Sequence, residues 1–240
     1  MFEFEKQRKL YINNIGGISE KNRKQLINLL DGTMFSYLKI KYLCHKINEN
    51  NTNVKKYIKL SIKDTTDTED CGWLLCFYLD TYIRDMKRAV DYGIKLGFAN
   101  WLAHNELDSF EDIGEFSLDA FFIKIKNPEK NIKKNINLNK YVDFLLKNDT
   151  DFVNSLKKNY EVWIFDFERM RTNLEHHSIL KCLDLNVIKK EDSPVLILSK
   201  SKLIGNNIDL IVKYLEKYEF FLGSCIISAN NVYNYYNSTK

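Results

Sequence analysis

Residues 159–166 read NYEVWIFD, and the fold predicted for the chain depends on them. Residues 162–165 are consecutive strong strand formers, and Asp166 follows them directly. In open α/β sheets, ligands bind at the carboxyl ends of the strands. An aspartate at such an end can hold Mg²⁺, directly or through water, beside the phosphates of a nucleotide. The stretch therefore predicts a strand and makes Asp166 a candidate catalytic residue.

Further strands are predicted on both sides of this stretch. Residues 57–61 (YIKLS) alternate as a half-buried strand does, and residues 194–199 (PVLILS) form the continuous apolar run of a fully buried strand. Residues 121–125 and 225–228 are also predicted to be strands. Strands that alternate with helices through the second half of the chain predict an α/β fold with a mostly parallel central sheet flanked by helices.

Amphipathic patterns predict the helices between these strands. Ser19 is a suitable N-cap for the first helix. The strongest pattern places five apolar side chains on one helical face: Leu75, Leu79, Tyr82, Met86 and Val90. Because the chain shows no internal repeat and no obvious linker, residues 1–240 are predicted to be a single α/β domain. Its N-terminal helical segment covers about residues 1–50, and its tyrosine-rich tail covers about residues 230–240.

The amino-acid composition excludes some classes of function. Of the 240 residues, 45% are hydrophobic, which is enough for a substantial core. The formal net charge is only +4, from 36 basic and 32 acidic residues, so no nucleic-acid partner is expected. Cysteines number five, an odd count without a C-x-x-C pair, which favours a reducing compartment. The charged N-terminus and the short apolar runs predict a cytoplasmic protein that reaches a membrane only through a partner.

The order of the segments resembles the ATPase domain of the bacterial tyrosine kinases that regulate capsule and exopolysaccharide export, a MinD/ParA-type branch of the P-loop proteins. In this resemblance, residues 162–166 correspond to the Walker B strand, and residues 222–230 (LGSCIISAN) correspond to a later strand of the sheet. Ser19, Glu20 and Arg23 are similar to the S-E-x-x-R helix that assembles the family's ring-shaped oligomer. The resemblance therefore implies a P-loop NTPase-like fold and self-association through this helix.

The phosphate loop of that family is degenerate in this chain. It should follow the strand that ends at Ser61, but residues 62–70 read IKDTTDTED, with no glycine and with Thr68 in place of the family's lysine. Each carboxylate a few Å from a triphosphate repels it by ~1 kcal/mol even in water. No cofactor is therefore expected to bind, unless ATP–Mg²⁺ does so in an active relative. The degenerate cofactor-binding loop consists of Asp64, Thr65, Asp67, Thr68, Glu69 and Asp70.

The resemblance and the degenerate loop together imply a pseudoenzyme. The leading hypothesis is a non-catalytic or weakly active relative of the capsule-type kinase that acts as a regulatory or scaffold subunit through protein–protein contacts, with a membrane-embedded protein among the partners that the resemblance implies. One alternative is an active autophosphorylating tyrosine kinase that uses Asp166, and another is an unrelated α/β binding module. In the family, a C-terminal tyrosine cluster is phosphorylated, which makes Tyr233, Tyr235 and Tyr236 candidate modification sites. From the residues alone, the cluster is equally a docking peptide or an uncharged polar end.

Other reactive side chains have simpler explanations. Adjacent histidines on a helix point about 100° apart, so no metal site is predicted among Glu175, His176, His177 and Cys182. Cys44 and His45 lack an orienting acid, and Glu168 is either a base beside Asp166 or a partner of Arg169. Buried positions are predicted for the three tryptophans, Trp73, Trp101 and Trp163.

Overall fold

The computed structural model describes residues 6, 9, 11–13, 15, 17–59, 65–105, 113–132, 135–176, 180–181, 195–198 and 206–238. Two helices of 40 residues each dominate this part: α1, Glu20–Lys59, and α2, Thr65–His104. They are followed by α3 (Leu118–Lys126), α4 (Ile136–Asn148), α5 (Thr150–Asn159), a π-helical segment (Tyr160–Ile164), α6 (Phe165–His176) and α7 (Ile208–Ser238). Three short strands precede α7: β1 (Leu180–Lys181), β2 (Val195–Leu198) and β3 (Asn206–Asn207).

Helix α1 begins where the sequence predicts. The Asn22 amide donates a hydrogen bond to Ser19 Oγ over 3.2 Å, which confirms Ser19 as the N-cap. Along α1, buried side chains recur every three or four residues, the spacing of helices that pack side by side over several turns. These side chains are Leu26, Leu30, Thr33, Tyr37, Ile40, Leu43, Cys44 and Ile47.

Helix α2 buries the apolar face that its sequence predicts. Each of the five side chains of that face is at most 1% exposed. The helix continues for about four more turns beyond Val90, through Gly93 and Gly97, and ends at His104. Gly97 is required for packing rather than for a turn, because a methyl group there would collide with the Tyr141 hydroxyl.

The predicted α/β fold is wrong, because the described part of the chain is helical almost throughout. The strands that it contains are two to four residues long and pair only antiparallel, in the order β1–β2–β3. Of the predicted strands, residues 57–59 end α1, residues 121–125 lie in α3 and residues 225–228 lie in α7. A P-loop domain requires parallel strands with helical crossovers, so the resemblance to the capsule kinases is also wrong. Residues 60–64 lie outside the described residues.

Residues 162–166 show why the strand prediction failed. Trp163 and Ile164 are buried at 1% and 2% exposure, whereas Val162 and Phe165 are about half exposed, a pattern that a helix produces and an alternating strand does not. A short apolar run has the same signature in a buried strand and in a helix. Here the helical pattern of α5 continues into the run through the π-helical segment, and α6 begins within it.

The chain divides into two compact units. Unit 1 comprises Met1–Phe35, Ala89–Val162 and Tyr218–Lys240, and unit 2 comprises Ser36–Arg88 and Trp163–Lys217. The core of unit 1 is a cluster of aromatic rings with Phe98 at its centre, 5.3 Å from Tyr141 and 5.9 Å from Phe116 between ring centroids. Trp101 stacks on Phe98 and is 5% exposed, so its predicted burial is confirmed.

Unit 2 has a smaller aromatic core that joins α2, α6 and α7. The Phe167 ring lies 5.0 Å from Tyr214 and 5.8 Å from Tyr82. Trp163 stacks against Tyr214 at 6.3 Å, and its predicted burial is also confirmed. The side chain of Trp73 lies outside the described residues. Among the described helices, none has an apolar stretch sufficient to cross a bilayer.

Candidate protein-binding surface

Asp166 occupies a different environment from the one its sequence context predicts. It stands in the first turn of α6 rather than at the carboxyl end of a strand. Its carboxylate lies 3.9 Å from the Arg169 guanidinium, and both side chains are nearly half exposed. Burial is the largest cause that raises the pKa of the Tyr214 phenol, and the negative charge of Asp166 is the second. The physical reason for placing Mg²⁺ beside Asp166 is therefore gone.

The residues of the predicted phosphate loop begin a helix. Thr65, Asp67, Thr68, Glu69 and Asp70 all lie in the first two turns of α2, and their side chains are outside the described set, as is all of Asp64. Acidic residues near a helix N-terminus are favourable for the helix itself, because they face the positive end of its dipole.

The tail tyrosines belong to the last turns of α7, which pack within unit 1. Tyr236 stacks on His104 with ring centroids 5.5 Å apart, and its hydroxyl accepts a hydrogen bond from Asn105 Nδ2 over 2.6 Å. Burial is the first cause that raises the pKa of Tyr236. Tyr235 meets Phe144 edge-on and is 37% exposed. These tyrosines form part of a helical surface, and their modification stays a prediction, as it does for Tyr233.

The proposed self-association helix is the start of α1. Ser19 caps it, and Glu20 forms an exposed ion pair with Lys24 one turn along, at 2.9 Å. The Arg23 amide donates to the Ser19 carbonyl, and its side chain is exposed. All of these interactions stabilise the helix end locally, and association through this face stays a prediction.

The other reactive side chains do not converge. In the described ranges, no three His, Cys, Asp or Glu side chains are arranged to hold a metal ion, and His177 and Cys182 lie outside those ranges. Cys44 is buried whereas His45 is exposed, so the two point to different sides of α1. Glu168 lies 3.7 Å from Lys87, which gives it a partner on α2.

Sequence reasoning missed a row of apolar side chains on the outside of unit 2. Leu38 and Tyr42 on α1 are 49% and 54% exposed, and Leu74 and Phe77 on α2 are 45% and 63% exposed. Each pair is separated by three or four residues, so its members lie on one side of their helix. We call these four side chains the outer face of unit 2.

One ion pair and one lysine–tyrosine approach show that α1 and α2 run side by side and antiparallel in unit 2. Lys39 Nζ lies 2.6 Å from Asp85 Oδ2, and further along α1, Lys46 lies close to Tyr78, which is earlier on α2. The pKa of the exposed Lys46 ammonium is raised, chiefly by its hydrogen bond to Glu49 and in smaller part by Tyr42 and Tyr78. The Lys46 ammonium therefore lies near tyrosines of both helices.

The charges that flank the outer face are mainly positive. Two acids of α2 near this face are paired within unit 2. Asp80 Oδ2 lies 2.8 Å from Arg84, and Asp85 lies close to both Lys39 and Arg88. The described lysines and acids within four positions of these residues, together with the ion-pair network that they join, comprise five cations and three carboxylates: Lys39, Lys41, Lys46, Arg84 and Arg88, and Glu49, Asp80 and Asp85. The described charges near the outer face therefore have a positive excess.

Comparison with known proteins adds no relative, because no family model, no curated protein and no solved structure matches the chain.

Proposed function

We propose that the chain is a helical protein-binding subunit, regulatory or scaffolding in role, whose outer face of unit 2 binds an amphipathic helix with acidic flanks. The observation that supports this proposal is the exposure of Leu38, Tyr42, Leu74 and Phe77 on two helices whose opposite sides bury the described core of unit 2. Contiguous apolar side chains on a protein surface, bordered by polar ones, are typical of interaction sites.

The shape and charge of the face favour a helical partner. Two antiparallel helices leave a groove between them, into which the apolar side of a third helix fits, with contacts spaced at three and four residues. Borders with an excess of lysine and arginine attract a helix with glutamate or aspartate beside its apolar row and repel a basic one.

The area involved sets the expected strength. Covering the exposed half of one such side chain gains about 1 kcal/mol, and association costs at least about 4 kcal/mol in lost freedom of motion. The four side chains and the equal apolar area of the partner that covers them gain about 8 kcal/mol, which leaves about 4 kcal/mol after that cost, so we expect a weak, reversible complex with a Kd on the order of 1 mM. Cytoplasmic residence and recruitment to a membrane by the partner remain parts of this proposal, which requires no cofactor.

Two synthetic peptides test the proposal on the full chain. Both have the same leucine row on one helical side, and they differ only in carrying glutamate or lysine on the flanks. Calorimetry is expected to show saturable binding of the acidic peptide, at least about tenfold tighter than the basic one and weaker at high salt.

Two variants locate the binding. Phe77→Glu places a negative charge, of the same sign as the peptide's flanks, in the apolar row. It is expected to weaken the binding of the acidic peptide by at least about tenfold. Phe220→Glu is the matched control, because Phe220 is 81% exposed in unit 1. Equal binding of the two peptides, or equal losses in the two variants, would contradict the proposal. So would sedimentation showing that the outer face instead joins two copies of the chain.

A further inference from the structure

A cleft in unit 1 lies between the start of α5 and the middle of α7. Its volume is about 260 Å³, which suits a small ligand and not a macromolecule. The cleft is separate from the outer face of unit 2 and has a different lining. Its walls carry carboxylates, hydroxyls and one amide beside two apolar side chains: Asp149, Asp151, Phe152, Ser155, Ser224, Ile227, Ser228 and Asn231.

Asp149 does not act as a helix cap, although it occupies the position of one. It directly precedes α5, where an aspartate usually accepts a hydrogen bond from the second or third amide of the helix. Its side chain makes no such bond, and Asp149 Oδ2 instead accepts one from Asn231 Nδ2 on α7, over 3.3 Å. The carboxylate is therefore directed across the cleft.

Ser228 provides a second, independent indication of a ligand. Serines inside helices commonly donate to the carbonyl four residues earlier, as Ser224 Oγ does to Phe220 over 3.1 Å. Ser228 is 0% exposed, and its Oγ has no hydrogen-bond partner in the part of the chain that the structure describes. Buried hydroxyls are nearly always hydrogen-bonded, so an unpaired one in the wall of a cleft indicates a missing partner.

The lining specifies the chemistry of that partner. The two carboxylates only accept hydrogen bonds, the serine hydroxyls accept as well as donate, and the Asn231 amide already donates to Asp149. The carboxylates therefore favour a ligand that brings donors and a positive charge, and an anion would be repelled by Asp149 and Asp151. Phe152 and Ile227 provide an apolar wall that a hydrated metal ion does not use but an alkyl chain does. We propose that this cleft binds an alkylammonium group, with its ammonium at Asp149 and Ser228 and its alkyl chain against Phe152 and Ile227.

NMR titration of the full chain tests this proposal with n-butylammonium as the probe and n-butanol as its uncharged counterpart. The amide signals of Ser228 and Asn231 are expected to shift saturably with butylammonium, with a Kd on the order of 1 mM, and not with butanol. Putrescine and an N-acetylated lysine amide then distinguish a free diamine from the lysine side chain of a protein as the natural source.

Variants separate the cleft from general charge effects. Asp149→Asn is expected to weaken butylammonium binding by about tenfold, and Ser228→Ala by about threefold. Asp119→Asn, which removes an exposed acid on α3 of the same unit, is the control and should leave binding unchanged. Shifts from butanol equal to those from butylammonium would overturn the proposal. It would be overturned equally by saturable shifts with Mg²⁺ alone, or by no saturable shift from the amine.

Discussion

Unit 1 and unit 2 distribute their large apolar side chains differently. In unit 1, three aromatic rings pack around Phe98 in the interior, and the cleft on its surface is lined mainly by carboxylates and hydroxyls. In unit 2, the described core is smaller, and four large apolar side chains remain on the outer face. The two units therefore present surfaces of opposite chemistry, one suited to a small cation and the other to an apolar protein surface.

The difference teaches that burial, rather than residue type, separates structural aromatics from functional ones. Phe98 and Phe77 lie on the same helix, α2, yet Phe98 is 0% exposed in unit 1 and Phe77 is 63% exposed in unit 2. A single exposed phenylalanine needs no explanation, whereas several exposed apolar side chains on neighbouring helices are typical of an interaction site.

The largest expected effect comes from truncating these two side chains. Phe98→Ala leaves a cavity in the aromatic core and is expected to lower the free energy of unfolding by about 3–5 kcal/mol. Phe77→Ala is expected to change it by less than about 0.5 kcal/mol, as exposed sites do. Urea denaturation followed by circular dichroism measures both. A large loss of stability for Phe77→Ala would show that Phe77 is structural and would remove the contrast between the two units.

The buried face of α2 and the start of α1 could be predicted from the sequence. The spacing from Leu75 to Val90 and the cap at Ser19 are local signals, and each local signal was sufficient. The strand predicted at residues 162–166 could not be distinguished from a helix in this way, because four consecutive apolar residues fit the periodicity of a strand and that of a helix equally well. Only packing settled it, by burying two of the four and exposing the other two.

Neither surface could be predicted from the sequence. Leu38 and Tyr42 lie outside the buried face of α1, which is the one local signal that could have identified the outer face. The cleft combines residues around Asp149 with residues around Ser228, which are far apart in the chain, so no local pattern joins them. Of the loop predicted at residues 62–70, residues 65–70 begin a helix instead, because their acids suit a helix N-terminus as well as they suit a degenerate loop.

Alkaline titration compares the buried phenols of the two units. Burial raises the pKa of Tyr141 in unit 1 and of Tyr82 in unit 2 well above the usual tyrosine value of about 10. Below that pH the phenols are protonated in both states. As the pH rises further, the unfolded chain loses these protons first, so each phenol is expected to cost up to about 1.4 kcal/mol of stability per pH unit until its folded pKa is reached.

Replacing each phenol tests this expectation and separates the units. Both Tyr141→Phe and Tyr82→Phe should reduce the alkaline loss of stability. At pH 7 their effects should differ, because the Tyr141 hydroxyl has no partner in the described structure, whereas Tyr82 interacts with Cys44. We therefore expect Tyr141→Phe to be neutral and Tyr82→Phe to cost about 1 kcal/mol in urea denaturation. Unchanged alkaline slopes in both variants would contradict the burial of these phenols.

The smallest expected effect concerns one ion pair in each unit. In unit 1, Lys124 is 2% exposed, lies 3.1 Å from Asp143 and also donates to the Pro128 carbonyl. Asp143→Ala leaves this buried ammonium with the carbonyl alone and is expected to cost about 1 kcal/mol, because Asp143 is itself more than half exposed. In unit 2, Glu49→Ala removes the exposed partner of Lys46, and no change beyond error is expected.

A third variant shows whether the charge or the volume of Lys124 matters. Lys124→Met keeps most of the buried chain and removes the charge, so it should be close to neutral when the packing of the alkyl stem dominates. Thermal denaturation at low and high salt distinguishes the cases, because salt screens the exposed Lys46 pair and affects the buried Lys124 pair much less. The contrary result would be an equal loss of stability, with equal salt dependence, in Asp143→Ala and Glu49→Ala. It would mean that the interior of unit 1 does not isolate its charges from water. The two units would then be more alike than their surfaces indicate.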